Sequence, residues 1–334
     1  MTGFTRRMLL ACAVSAGMAG FVSTGFAEDK VTLRMSTPAS DSDQRSVALA
    51  TVFAPQVAEF AAYQPHYNGT LIAQGSELEA IASGDLEMSI ASAQELATFF
   101  PEFSIFATGY VHQDAAHQVA VFNDPLMEPF KQKVEDELGV KLLAVMYLGR
   151  RNVNLRQSKE ELTVMKPEDL AGVNLRMPGS DAWQFLGKAL GANPTPMSFT
   201  EIYTALSTGS VDGQDNPLPT VVDAKFYEVT KQVVLTSHLV DLNYVAFSKA
   251  VWDKLTPEQQ ATVQKAAVDA AESGRQAQLK KEEDLVSFLR EKGMEIYEPD
   301  LNAFRTHVQA QYVGSDFAAS WPEGVLDKIN ALGN

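Results

Sequence analysis

Three stretches in the middle of the chain carry side chains suited to holding an anion. In "YLGRRNVNLRQ", Arg150 and Arg151 follow an apolar run. In "VNLRMPGS", Arg176 closes an alternation of Val173, Leu175 and Met177 just before Pro178-Gly179. In "DGQDNPLP", Gln214, Asp215 and Asn216 follow Val211. An arginine's planar fork donates two parallel hydrogen bonds to a carboxylate and stays charged at any working pH. Each arginine taken alone reads equally as a surface ion pair. Together, at three successive strand ends, they point to a pocket, because open α/β sheets bind ligands beyond the carboxyl ends of their strands.

Other chemistry is poorly served. Of the five histidines, His112 and His117 are five residues apart, a spacing that does not place them on one helix face as a zinc pair requires. There is no G-x-S-x-G elbow and no phosphate loop, and the single cysteine, Cys12, lies near the N-terminus. No enzyme, cofactor or metal is expected. The net charge is −15, which excludes nucleic-acid binding through the overall field and makes any anion site a matter of local cations.

These residues need a scaffold, and the chain alternates strand and helix patterns in the rhythm of an open α/β fold. Strands are expected over 30–36, 85–91 and 141–149, the last so continuously apolar that it reads as a strand buried in a parallel sheet. Helices are expected from Asp43 to about Ala62, kinked at Pro55, and over 76–84, 180–190 and 199–207. "AIASGDLE" (80–87) and "ALSTGSVD" (205–212) echo one another as helix, glycine stop and strand, which favours two similar lobes. "LTPEQQATVQKAAVDAAESGRQAQLKKEEDLVSFLREKG" (255–293) opens with a capping box at Thr256 and Gln259. It forms either one helix of about 50 Å bracing both lobes, or a hairpin bent at Gly274.

The first 27 residues stand apart. Arg6-Arg7, an uncharged stretch of small and apolar residues and Gly25-Phe26-Ala27 make a cleavable secretory signal, with the twin arginines compatible with either export route. Its removal takes away two arginines and no acid, moving the charge from −15 to −17 and leaving no cysteine. No later segment approaches about 18 uninterrupted apolar residues, so no membrane insertion is expected.

"NLRMPGSDAWQFLGKALGANPTPMSFTEIYTALSTGSVDGQDNPL" (174–218) resembles the signature block of the solute-binding proteins of TRAP transporters, the dicarboxylate-binding-protein family. Weaker resemblance covers the remaining mature chain, including "GTLIAQGSELEAIASGDLEM" and "KFYEVTKQVVLTSHLVD". The resemblance implies a periplasmic receptor with a two-lobed α/β fold, type II-like, with hinge strands and a long bracing helix. Lobe I would comprise 28–149 plus about 242–281, and lobe II 150–241 plus about 282–334. Such receptors work as monomers delivering a small organic acid to the small and large subunits of an ion-driven permease.

Carried over by resemblance, Arg176 would be the principal carboxylate ligand and Arg151 the second arginine, in "GRR" where the family writes a "GTR"-like turn. The role of Arg150, replacing a small hydroxyl residue there, stays open. Asn216 would bond the ligand, Phe199 would pack on it, and His238 would join Arg151 in a hinge-side network. Gln94 would stand where sialic-acid binders carry a glutamate. The ligand is expected to be a sugar acid such as a uronate, aldonate or sialate, with a C4-dicarboxylate or small sulfonate as the alternative. An ABC-type receptor of similar fold and a periplasmic enzyme remain the competing classes.

Overall fold

In a computed structural model of the chain, which describes residues 30–333, the first period-two run becomes strand β1 (Val31–Ser36), with Leu33 and Met35 buried. The expected signal, residues 1–27 with Cys12, lies outside the described residues. Helix α1 (Gln44–Ala48) passes into a π-helical turn over Leu49–Phe53 and then α2 (Ala54–Val57). Pro55 has no N–H to donate and crowds the preceding turn, so the helix widens just before it. It stops earlier than its apolar spacing suggests, because Ala61–His66 is strand β2, paired in parallel with β1.

The first half continues through α3 (Glu77–Ser83), β3 (Met88–Ser92), α4 (Ala93–Leu96), α5 (Ala115–Asn123), α6 (Glu128–Leu138) and β4 (Val140–Leu155). The second half holds β5 (Asn174–Met177), α7 (Asp181–Ala189), β6 (Asn193–Pro196), α8 (Ile202–Thr208), β7 (Gly213–Asn216), α9 (Leu218–Asp223) and β8 (Gln232–Ser248). Then come α10 (Lys249–Trp252), α11 (Pro257–Glu291), β9 (Glu295–Tyr297), α12 (Leu301–Val313), α13 (Asp316–Ala319) and α14 (Val325–Leu332). The sequence echo is a structural one. Gly84 after α3 and Gly209 after α8 are both left-handed, at φ 85° and 81°. In each case the next residue's N–H reaches back to the helix, Asp85 to Ala80 O at 2.8 Å and Ser210 to Ala205 O at 2.9 Å.

All strands form one sheet, in the order β2-β1-β3-β8-β4-β7-β5-β6, with β9 added to β8. Strand β4 is not the end of a parallel strand at Gly149. It runs on through Arg150 and Arg151 to Leu155, and it is antiparallel to both neighbours, β7 and β8. Likewise Gln214, Asp215 and Asn216 lie within β7 rather than beyond it. The 16 residues of β4 and 17 of β8 form an antiparallel ribbon long enough to serve both lobes. One end carries β3 through Met88–Phe247 to Ser92–Asn243, and the other carries β7 through Asn152–Asn216 to Leu155–Gly213. The ladder shifts register around Gly149, between Tyr147 and Gly149 and between Arg151 and Val153.

Helix α11 is one continuous helix of 35 residues, not a hairpin. Gly274 does not bend it. A Cβ there would come within 3.3 Å of the Ala48 Cβ, so the glycine lets α1 approach closely. Val263, Ala266 and Ala270 of α11 enter the lobe I core beside Leu49 and Phe247, while Leu285 and Leu289 enter the lobe II core beside Ile202 and Phe226. The C-terminal segment after α11 packs in two places. Phe304 and Val308 of α12 do pack with Leu186 in lobe II, but Val325 and Ile329 of α14 join the lobe I core with Phe130 and Tyr244. Trp321 Nε1 secures this return by donating to Ser104 Oγ at 2.8 Å.

Gly149 marks the middle of the ribbon. Its φ is 132°, and a Cβ there would lie 2.6 Å from both Glu282 Oε1 and Pro217 Cβ. Glu282 of α11 clamps the strand on either side, accepting from Tyr147 OH at 2.7 Å and Arg150 N–H at 2.9 Å. Backbone strain and overpacking each cost about 1–3 kcal/mol. Gly149→Ala is therefore expected to lose roughly 2–6 kcal/mol in denaturant unfolding. Gly84→Ala, with a left-handed backbone but open space around it, should lose only about 1–2 kcal/mol. Equal losses at the two sites would contradict the packing role of Gly149.

Candidate functional site

A cavity of about 200 Å³ opens between the lobes, bordered by the ribbon at Leu148, Arg151 and Asn243. Lobe I contributes the segment after β1 (Thr37, Asp43, Arg45), Gln74, and Ser92 with Glu95 at the end of β3. Lobe II contributes Trp183, Phe199, Asn216 and the α9 residues Thr220 and Asp223.

Arg176 on β5 is 1 % exposed and has no carboxylate within ion-pair distance among the described residues. Its Nε donates to Met197 O at 2.9 Å and its Nη2 to Gln74 Oε1 at 3.3 Å. The same Gln74 oxygen accepts the Phe199 N–H at 2.7 Å. Donors from two elements of lobe II thus converge on one oxygen supplied by lobe I. Burial pushes the Arg176 pKa down to about 9, which still leaves it cationic at neutral pH. A buried cation satisfied only by neutral acceptors is costly. An incoming anion would relieve that cost.

Arg151 differs sharply. Its Nε donates to Asp241 Oδ2 at 2.6 Å, and its Nη1 to Asp215 O at 2.8 Å and Oδ1 at 3.2 Å. Burial disfavours its charge, but Asp215 and Asp241 outweigh that and hold its pKa above the ordinary arginine value. Burial likewise opposes the Asp215 charge, yet Arg151 keeps the carboxyl below the usual carboxylate range. Trp183 lies against the guanidinium, 4.4 Å from ring centroid to Cζ. Arg151 borders the cavity, but as a cation matched by two carboxylates. Arg150 is elsewhere: exposed, it donates to Gln113 O at 2.7 Å.

His238 is fully buried and does not line the cavity. Its Nε2 lies 3.1 Å from Asp215 Oδ2 and its Nδ1 2.8 Å from Thr236 Oγ1, so it touches the network behind Arg151 rather than the space in front. Asn216 ends a chain of amides. Asn154 Nδ2 donates to Gln232 O, Gln214 Nε2 to Asn154 Oδ1, and Asn216 Nδ2 to Gln214 Oε1, at 2.8, 3.1 and 2.5 Å. Because the backbone carbonyl at its start can only accept, every amide in the chain is oriented. Asn216 keeps its Oδ1 and one N–H for the cavity. Phe199 also faces it, packed edge-on to Phe226 at 5.8 Å.

Gln94 is not brought to the cavity. It is 1 % exposed within α4, and Ser92 and Glu95 present the polar surface there instead. The S-x-x-E spacing was readable as a capping box, and the structure forms it: Glu95 Oε2 accepts from Ser92 N–H at 2.7 Å and Ser92 Oγ at 2.9 Å. Sequence reasoning also missed Gln74 in its loop. It missed Arg45 too, whose Nε and Nη2 bind the two Asp43 oxygens at 2.9 Å each while Nη1 donates to Asn243 Oδ1. No short motif distinguishes these from solvated polar residues.

With that geometry in view, comparison with known proteins is specific. The family model of the bacterial extracellular solute-binding proteins, family 7 (DctP), matches residues 58–316. The chain is 31% identical over 255 residues to the sialic acid-binding periplasmic protein SiaP of Vibrio cholerae, covering 76% of this chain and 77% of that protein. It is 84% identical to a TRAP periplasmic solute-binding protein from Roseobacter denitrificans with bound 3-deoxy-D-manno-oct-2-ulosonic acid (KDO). The TM-score is 0.91, and the match covers 91% of this chain and 100% of that one. A TRAP periplasmic solute-binding protein from Haemophilus influenzae with bound L-gulonate is 25% identical with a TM-score of 0.83, over 91% of this chain and 100% of that one.

Behind Glu95 lies a second acid. Glu77 is 5 % exposed, accepts the Gly75 N–H at 2.6 Å, and is pushed up to about 8 by burial and then by the Glu95 charge. A carboxyl whose folded pKa exceeds its unfolded value of about 4.3 costs stability progressively as pH rises from there to about 8. Glu77→Gln can keep the Gly75 bond without the charge. It should melt like the wild type near pH 4.5 and gain a few kcal/mol by pH 8, at about 1.4 kcal/mol per unit. Parallel melting profiles from pH 4.5 to 8.5 would remove this account of Glu77.

Proposed function

We propose the following for this chain, which belongs to the bacterial extracellular solute-binding proteins of family 7: it is a periplasmic receptor that closes its two lobes over one sugar acid, which it delivers to the membrane subunits of a TRAP permease. The observation that carries the reading is Arg176, buried without a carboxylate; it does not line the cavity itself but donates to Gln74, which does. The ligand carboxylate takes the place of Gln74 Oε1, accepting from the Arg176 guanidinium and the Phe199 N–H. Asn216 adds its remaining N–H, and Trp183 and Phe199 flank the sugar. Arg151, already matched by Asp215 and Asp241, supports this wall and offers a polar edge rather than a free charge.

Closure follows from the ribbon. Closure flexes β4, β8, α11 and the segment between α12 and α14, and Gly149 sits where the ladder shifts register. Export is assigned to residues 1–27, and the described residues contain no helix long and apolar enough to cross a membrane. A receptor role, rather than an enzymatic one, accords with the family. A sugar acid accords with the KDO held by the Roseobacter denitrificans protein and the L-gulonate held by that of Haemophilus influenzae. Among sugar acids, KDO is the foremost candidate.

Two measurements test this. In a thermal-shift screen of residues 28–334, a sugar acid at 1,000 times its dissociation constant should stabilise by about 4 kcal/mol, a rise of several degrees. C4-dicarboxylates, sulfonates and neutral sugars should leave the melt unchanged, and shifts with neutral sugars alone would sink the proposal. By calorimetry, Arg176→Ala should lose about two to four decades of affinity, because removing one partner of a buried charge pair costs about 3–5 kcal/mol. A loss under threefold would rule out Arg176 as the anchor. Ligand-free Arg176→Met should melt no lower than wild type, since it removes an uncompensated buried cation.

A further inference from the structure

The acidic and basic side chains around the cavity pair off almost completely. Asp43 is held by Arg45 at 2.9 Å, and Asp223 by Lys281 of α11, 2.7 Å from each of its oxygens. Arg151 is held by Asp215 and Asp241. Two groups are left over among the described residues. One is the Arg176 cation in lobe II, which reaches the cavity only through its bond to the lining residue Gln74. The other is Glu95 in lobe I, which lines the cavity with no cation within 4 Å and whose pKa burial pushes above the usual carboxylate value. Both bonds that Glu95 makes converge on Oε2, from the N–H and hydroxyl of Ser92. Its Oε1 has no hydrogen-bond partner among the described residues.

We infer that Glu95 is the specificity-determining residue of this site, accepting a hydroxyl from the polyol end of the ligand and refusing a second carboxylate there. This rests on the sugar-acid reading and narrows it to monocarboxylates. A free carboxylate oxygen makes a strong, charge-assisted bond to a hydroxyl donor. When ionised it repels another carboxylate, and no spare cation is present to compensate, because Arg45 and Lys281 are committed to Asp43 and Asp223. The Arg176 end has the reverse preference. A molecule with one carboxylate and a hydroxylated tail satisfies both ends, and an aldaric or C4-dicarboxylic acid satisfies only one. Like charges brought together in an interface cost several kcal/mol, so discrimination of about 100-fold or more is expected.

The test compares acids that differ only at the far carbon. L-gulonate ends in a CH₂OH group, and D-glucarate carries a carboxylate in its place. KDO serves as a longer monocarboxylate. Wild-type protein should bind at least one of the two monoacids and hold D-glucarate at least about 100-fold more weakly than that monoacid. In Glu95→Gln the capping oxygen can be kept while an amide N–H₂ replaces the free oxygen. Its monoacid affinity should fall about tenfold, with D-glucarate gaining, so that the ratio collapses. Calorimetry on both proteins reads these numbers, and a melting curve checks that the variant is folded. If a monoacid binds and D-glucarate binds equally well, or if Glu95→Gln leaves the ratio unchanged, the role of Glu95 is overturned while the sugar-acid reading stands. If neither L-gulonate, KDO nor any other sugar acid binds, both fall together.

Discussion

A guanidinium taken out of water has to be compensated, and at Arg176 the compensation comes from a carbonyl and an amide oxygen rather than from a carboxylate. Most of the site's organisation can be understood as holding that position open. Strand β5 fixes the guanidinium, and Pro178-Gly179 ends the strand before the chain can cover it. The Phe199 N–H is aimed at the same point. The other arginines at the cavity have been neutralised, Arg151 by two aspartates and Arg45 by one, so that they shape the walls without competing for the anion. An acidic protein can in this way keep one buried cation unmatched by any carboxylate.

The cleft itself depends on the two long strands. Because β4 and β8 stay paired along their whole length, the lobes share a continuous ribbon, whose register shifts near Gly149 and Asp241. Helix α11 lies along this ribbon and is anchored in both cores. Its Glu282 holds Tyr147 and the Arg150 N–H at the bend. The brace therefore meets the ribbon where its register shifts. The polar groups that border the ligand space sit within a few residues of it, on strands rather than loops, where their geometry is reproducible.

Some of this was legible from the chain. The glycine stops at 84 and 209, the capping box at Thr256 and the alternation in β1 are local signals, decided by φ, by orphan backbone donors and by side-chain period. Arg176 was legible because an arginine at a strand end before Pro-Gly is an unusual use of a cation. Three features were not. The continuation of β4 through Arg150 and Arg151 depends on pairing with β8, about 90 residues away. Whether Gly274 bends a helix or admits a neighbour depends on where Ala48 lies. Whether Gln94 or Glu95 faces the cavity depends on the phase of α4 after the strand, one residue being enough to turn a side chain away.

The sequence by itself determined the alternation of strands and helices, the capped start of the bracing helix, and the presence of an arginine suited to a carboxylate. These follow from interactions between residues close together in the chain. Only the tertiary structure decided which charges are spent and which remain. Arg151 looked as available as Arg176 until Asp215 and Asp241 were seen to enclose it, and Glu95 looked like any helix-capping acid until its second oxygen was found on the cavity wall. The reason is physical: a charge acts through its environment, and that environment is assembled from strands and helices tens to hundreds of residues apart.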